Sequence, residues 1–335
     1  MANASESAVV ITLRQYRELL EAREFDAMRR MAASWLEVER RLDADILALA
    51  LEMERRAKAG EVITQQIVYK AEQYKVVKAK LRDEIKRWNR SQLIPQIEAS
   101  QRNFGMLGIE AAKDSIITSF GGALTAPMFP VLNRAAVEVM VGFLGNGSPL
   151  NTLLKQDYPD AIEGLMNALI NGMARGLGPG AVAKEMADGM GMGLDRAMLI
   201  ARTEINRAYR QANIESYRKS NVVGGYMRLV KKATACMACL MLDGQRFENK
   251  DDFSDHPRGK CIAVPVVKGV APPTWQKGPE WFRGLSPEQQ KAKMGADKFE
   301  AWKDGKFKLE DLAKMKHSDV WGDSPRVPGL AELLQ

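Results

Sequence analysis

The chain has 335 residues, 46% hydrophobic and 27% charged, a globular balance that excludes wholesale disorder, a collagen-like rod and a bundle of membrane helices. The 49 Lys and Arg against 42 Asp and Glu leave a net charge of +7, which favours a polyanionic partner without demanding one. Three cysteines are too few for a disulfide framework, and two histidines, His256 and His317, leave little material for histidine-dependent catalysis.

Near the N-terminus the only apolar cluster is Ala8-Val9-Val10-Ile11. It is far short of a signal-peptide core or a membrane span, so synthesis and residence in a cytoplasm, with no membrane partner, are expected. No Gly or Pro occurs between Met1 and Ala59, and Trp35, Val38, Leu42, Ile46, Leu49 and Met53 recur three or four apart. That spacing predicts one long amphipathic helix. Gly60 interrupts it, and Tyr74, Val77, Leu81, Ile85 and Trp88 mark a second helix that is expected to end before Pro95 and to pair with the first as an antiparallel hairpin. The other faces of this helix carry Lys70, Lys75, Lys78, Lys80, Arg82, Lys86, Arg87 and Arg90, opposed by only Glu72, Asp83 and Glu84. They are either a solvated face or a surface for nucleic acid or an acidic partner.

From Gly105 onward the helical stretches shorten, separated by Gly121-Gly122, Pro127 to Pro130, Gly145 to Pro149 and Gly176 to Gly180. A first domain of residues 1–105 and a central helical domain of 106–221 follow. Met166, Met173, Met186, Met190 and Met192 read as core packing. A helix starting at Asp195 and running to about Ser220 is expected to bury Leu194, Met198, Ala201, Ile205, Ala208 and Ala212. Its polar side carries Arg202, Glu204, Arg207, Arg210, Glu215 and Arg218, where Glu204 with Arg207 and Glu215 with Lys219 can pair as surface chemistry unless the helix is covered.

Residues 222–268 then read as a small module. Tyr226–Val230 and Ile262–Val267 are expected strands, and Asp243-Gly244 supplies a β-hairpin turn. The last segment, 269–335, is expected to be a linker through Pro279 and a short helical tail. Ser286-Pro287-Glu288-Gln289 starts a helix there, and Trp281, Phe282, Phe299 and Trp302 anchor it. The fold class is therefore mainly α: an N-terminal helical hairpin, a central helical domain, a zinc-knuckle β-hairpin module and a helical tail. No internal repeat and no heptad rod is evident.

The strongest chemical signal is Cys236-Met-Ala-Cys239, then sixteen residues, then His256-Pro-Arg-Gly-Lys-Cys261. Every cysteine of the chain and one of its two histidines fall within 26 residues. The spacing is that of a structural zinc site, with a CxxC knuckle on one side of the metal and a second pair closing it, so Cys236, Cys239, His256 and Cys261 are the expected ligands. Four protein ligands leave no open position for a reactive water. Two alternatives stay open: three buried reduced thiols beside a hydrogen-bonded histidine, and a redox pair at Cys236 and Cys239.

Arg196-Ala-Met-Leu-Ile-Ala-Arg202-Thr203-Glu204, the two-cysteine knuckle, Leu242-Asp243-Gly244 and His256-Pro257 with a following cysteine occur here in one order. In that order and spacing the chain resembles the phage Mu F-like minor head proteins, also called phage head morphogenesis proteins, over roughly residues 110–268. Gly178 to Met186 also looks like the short helix that precedes the signature. One departure is that the family commonly reads His-Pro-Xaa-Cys-Arg-Cys, whereas Gly259 and Lys260 stand here before Cys261.

The resemblance implies a minor capsid component of the virion, made in the host bacterium. It would act at the portal vertex during head assembly, with the portal protein, the major capsid or scaffold protein and double-stranded DNA as partners. DNA contact would fall on Lys75, Lys78, Arg82, Lys86 and Arg90, with Arg207, Arg210, Arg218, Lys231 and Lys232 as a second patch. No enzymatic activity is expected: the sequence has neither a phosphate loop nor a nucleophile elbow. The competing reading is a zinc-containing, sequence-independent nucleic-acid-binding or nuclease-like protein.

Overall fold

The computed structural model describes residues 6–123, 129–144, 147–154, 157–319 and 321–335. The expected breaks at Pro127 to Pro130 and Gly145 to Pro149 lie partly outside them. In chain order the helices are α1 (Ala8–Lys58), α2 (Gln65–Lys70), α3 (Glu72–Trp88), α4 (Ile94–Ser119), α5 (Arg134–Glu138), α6 (Asn151–Leu154), α7 (Asp157–Ala174), α8 (Pro179–Gly189) and α9 (Gly191–Lys219). Then follow β1 (Val223–Leu229), α10 (Met237–Leu242), β2 (Arg246–Phe247) and β3 (Ile262–Val267). The chain ends with α11 (Gly278–Arg283), α12 (Pro287–Met294), α13 (Ala296–Lys303), β4 (Lys314–Lys316), β5 (Ser324–Arg326) and α14 (Leu330–Leu333). The architecture is mainly α, as expected. Two compact units divide the chain, one of residues 1–23, 100–147 and 203–335, the other of 24–99 and 148–202. Both differ from four consecutive domains because the unit borders fall inside α1, α4 and α9.

In the unit of residues 24–99 and 148–202, the predicted stripes of the first two helices are all buried. Trp35 and Trp88 meet edge to face at 4.9 Å, and the Trp88 indole N–H donates to Ser34 Oγ at 2.8 Å. Further along, Lys80 pairs with Asp45 at 2.7 Å, so late residues of α3 meet early residues of α1 and the pair is antiparallel. The second helix does not stop before Pro95. A π turn over Asn89–Leu93 shifts the hydrogen bonding by one residue, with the Ile94 N–H reaching the Asn89 carbonyl, and the chain continues as α4. Pro95 falls in the first turn of α4, where the absent N–H costs little. Between α7 and α8 the backbones touch: a Cβ at Gly164 would lie 1.9 Å from the Gly189 carbonyl oxygen. Met166, Met186 and Met190 are buried as expected, whereas Met192 is exposed.

In the other unit, α4 and the later half of α9 cross as closely. A Cβ at Gly108 would sit 2.3 Å from the Tyr209 carbonyl oxygen. The Asn213 amide donates to the Gly108 carbonyl at 3.2 Å. Gly108→Ala should therefore force the helices apart and lower stability by about 1–3 kcal/mol, measured from the urea midpoint; an unmoved midpoint would show that the crossing has slack.

The sheet has the order β2-β1-β3, antiparallel throughout. Strand β3 has the expected bounds, and β1 begins three residues earlier than expected. The Asp243-Gly244 turn is not the tip of a hairpin. It connects α10 to β2, with Gly244 at φ +83° and its N–H donating to the Arg228 carbonyl at 2.7 Å.

Helix α9 begins at Gly191 rather than Asp195. Between residues 200 and 217 it is covered on nearly all sides, and Glu204, Asn206, Arg210 and Asn213 are buried with Ala201, Ile205, Ala208 and Ala212, whereas Leu194 and Met198 of the expected stripe are only half-buried. Its polar side is therefore an interior one. Glu204 pairs with Arg207 at 2.5 Å as expected, whereas Glu215 takes Arg218 rather than Lys219.

The tail is part of the core. Ser286 and Gln289 form the reciprocal cap at the start of α12, and Phe282, Phe299, Phe307 and Leu312 pack in one cluster with Met237, Cys239, Leu240 and Cys261. The stretch expected to be a linker is anchored too. Trp275 is buried, and its indole N–H points at the Asp243 carboxylate at 3.2 Å.

Candidate metal centre

Cys236 stands at the N-cap of α10, and its sulfur accepts the Cys239 N–H at 3.4 Å. The short helix thus turns both thiols to one side. His256 arrives from the loop between β2 and β3, with Nε2 at 3.5 Å from the Cys236 sulfur and 3.3 Å from the Cys239 sulfur. Its Nδ1 donates to the Pro257 carbonyl at 2.9 Å, which fixes the ring and leaves Nε2 for the sulfurs. Donor atoms of Cys236, Cys239 and His256 all lie within 4.8 Å of one another. Cys261 belongs to a second group of that span with Cys239 and Asp255. The four expected ligands therefore meet around Cys239, in two overlapping triads rather than one set of four.

In sequence Asp255 follows Asp251 and Asp252 in an acidic run of the kind that is ordinarily solvated. Its carboxylate is instead fully buried, accepting the backbone N–H groups of His256 at 3.0 Å and Cys261 at 3.4 Å. Arg210 from α9 approaches it at 3.4 Å and Arg228 from β1 at 3.7 Å. A Cβ at Gly259 would lie 2.2 Å from the Asp255 carboxyl, so no side chain, a cysteine's included, fits at residue 259 while Asp255 keeps this place.

Beside the Arg210–Asp255 pair, two further contacts tie residues 255–261 to α9. The Arg258 N–H donates to Thr203 Oγ1 at 3.3 Å, and Arg210 donates to the Gly259 carbonyl at 3.0 Å. Arg258 is the sole non-glycine residue with positive φ among those described, at +64°. Thr203 and Arg210 of α9 thereby buttress the Cys/His loop.

Within the cluster the two knuckle thiols are pushed in opposite directions. Contact with the Cys236 thiol pushes His256 up to about 9, against the opposing effect of burial. Cys236 is drawn down by the hydrogen bond with Cys239, with His256 adding to it, while Cys239 is driven up by Cys236, Cys261 and burial. Arg17 Nη1 and Arg228 Nε and Nη1 are buried without a hydrogen-bond partner, and both guanidinium groups feel the charge of Cys261. Arg228 also donates to the Ser254 carbonyl and lies over the Phe253 ring, 4.3 Å from its centre. This shell was missed in sequence because Arg17, Arg210 and Arg228 are scattered along it; Asp255, next to His256, was the one available signal.

The residues singled out for nucleic acid divide. Arg207 is held by Glu204, Gln211 and the Phe143 carbonyl, Arg210 by Asp255 and Gly259, and Arg218 by Glu215, Asp252 and three backbone carbonyls. Lys231 pairs with Glu21 at 2.5 Å, and burial lowers the Lys232 ammonium. On α3 and the π turn after it, Lys75, Lys78, Arg82, Lys86 and Arg90 are all exposed. Lys75 pairs with Glu72 and Arg82 with Asp83.

A Cys/His cluster beside a three-stranded sheet is thus tied to α9 through Thr203 and Arg210. Residues 163–262, which hold all four expected ligands and α9, match the family model described as Phage Mu protein F like protein. No curated protein and no solved structure matches the chain. No helix among the described residues is long and apolar enough to cross a membrane.

Proposed function

We propose that this chain is a non-enzymatic minor head protein of a phage virion, acting in head morphogenesis at the portal vertex. The observation that carries the reading is that the phage Mu F-like match coincides with the Cys/His module and the helix bracing it. Its partners are the portal protein and the major capsid or scaffold protein. Co-expression with a portal ring tests this: co-purification at a fixed stoichiometry is expected, and separation of the two on gel filtration would remove the portal assignment.

Zinc held by Cys236, Cys239, His256 and Cys261 has a structural role, closing the loop before β3 onto α10. The sulfur-rich donor set and the oriented imidazole support this choice. Elemental analysis should find close to one zinc per chain, and chelation should lower the melting temperature because the sulfurs belong to a shared apolar core. Cys239→Ser should lower it as well. Metal-free protein with an unchanged melting temperature would sink the zinc reading.

DNA contact, where it occurs, uses the exposed ridge of Lys78, Arg82, Lys86 and Arg90, since the α9 arginines are already committed. Binding should be independent of sequence, with log K falling by about 0.9 per log unit of salt for each phosphate neutralised. Salt-insensitive binding in a filter or anisotropy assay would contradict it.

A further inference from the structure

Within the unit of residues 1–23, 100–147 and 203–335, a cavity of about 590 Å³ runs along the later half of α9. Residues 252–255 of the loop between β2 and β3 line one side of it, and residues 317–319 and 321–323 between β4 and β5 line the other. That volume is of the size that takes a ligand rather than that of a packing defect. Its inner charges cancel. Glu204 pairs with Arg207 at 2.5 Å and Asp255 with Arg210 at 3.4 Å, both carboxylates being buried. The charges at its mouth do not cancel. On the α9 side one guanidinium, Arg218, serves two carboxylates, Glu215 and Asp252. On the β4–β5 side one imidazole, His317, serves Asp319 and Asp323. Each side is therefore short of a positive charge even when His317 is protonated. Asp252 and Asp323 are exposed at 89% and 61%, so the surplus stands at the rim, in a chain whose overall charge is +7. Trp321, half-buried, lines the same mouth.

We propose that this cavity takes a dibasic segment of a partner polypeptide, one cationic side chain joining Glu215 and Asp252 and a second joining Asp319 and Asp323. Charge complementarity selects the occupant. A phosphate or other anion would meet a surplus of carboxylate on both sides. A metal ion needs donor atoms that converge on one point, and among the described residues the carboxylates and His317 of this mouth form no such group. A polypeptide with two basic side chains meets both sides at once while its backbone spans the space between them. A guanidinium paired at the rim can also stack on the Trp321 ring. None of the rim residues belongs to the Cys/His centre, so this site stands apart from zinc and from the portal assignment.

Calorimetric titration of the full chain with acetyl-tetraarginine amide tests the proposal, with circular dichroism to check each variant's fold. The peptide should bind at low salt and lose affinity as salt rises. Asp252→Asn and Asp323→Asn should each weaken it about threefold, and the two together about tenfold, the scale of solvent-exposed ion pairs on separate elements. Trp321→Ala should weaken it as well. Asp304→Asn, an exposed carboxylate away from the cavity, should leave the affinity unchanged. No binding at low salt, binding indifferent to the double variant, or an equal loss with Asp304→Asn would each overturn the proposal. So would spermidine binding as tightly as the peptide, which would make this a polyamine site, or inorganic phosphate displacing the peptide from the cavity.

Discussion

Asp255→Ala should cost the fold about 3–5 kcal/mol, the loss found when one partner is taken from a buried ion pair. The carboxylate is fully enclosed and meets Arg210 and Arg228. Both guanidinium groups are themselves buried and would be left with an uncompensated charge. The backbone N–H groups of His256 and Cys261 would lose their acceptor in the same step. Asp255→Asn keeps the shape and removes the charge, so it should recover only part of the loss. Chemical unfolding of the purified variants measures this, and an Asp255→Ala midpoint equal to the parent's would mean that the arginines find other acceptors at no cost.

A comparable loss is expected for Ile205→Asp. Ile205 is fully buried on α9, and an aspartate there has no cation assigned to it, so its charge would have to be neutralised or hydrated by opening the core. Destabilisation above about 4 kcal/mol is expected, seen as loss of soluble protein or a collapsed melting transition. A soluble variant with the parent's melting temperature would refute the packing of this helix.

The parts of the fold that were legible in sequence are those where polar and apolar residues separate cleanly. The stripes Trp35 to Met53 and Tyr74 to Trp88 are buried residue for residue, and β3 begins and ends where its unbroken apolar run does. The surroundings of α9 were not legible, because that helix buries polar groups. Glu204 finds its partner locally, but Arg210 is satisfied by Asp255 and Gly259, 45 and 49 residues away, and periodicity carries no trace of such pairs. Burial of Glu204 raises its carboxyl, with Arg207 and Arg210 opposing the rise.

At the centre, spacing identified the cysteines and His256. It did not show that Cys261 keeps company with Asp255, nor that arginines from three separate elements surround them. The exposure of Phe25, Leu36, Leu47 and Leu51 on α1 was hidden for the opposite reason. Phe and Leu in a helix full of buried Leu and Met read as more core, and only their exposure separates the two sets.

The Thr203 and Arg210 contacts make the loop of residues 255–261 and helix α9 thermodynamically reciprocal. Any ligand that orders the loop must, through these bonds, also restrain the helix turn that carries Thr203. Amide exchange along residues 200–210, compared between protein with and without added zinc, would measure that restraint directly.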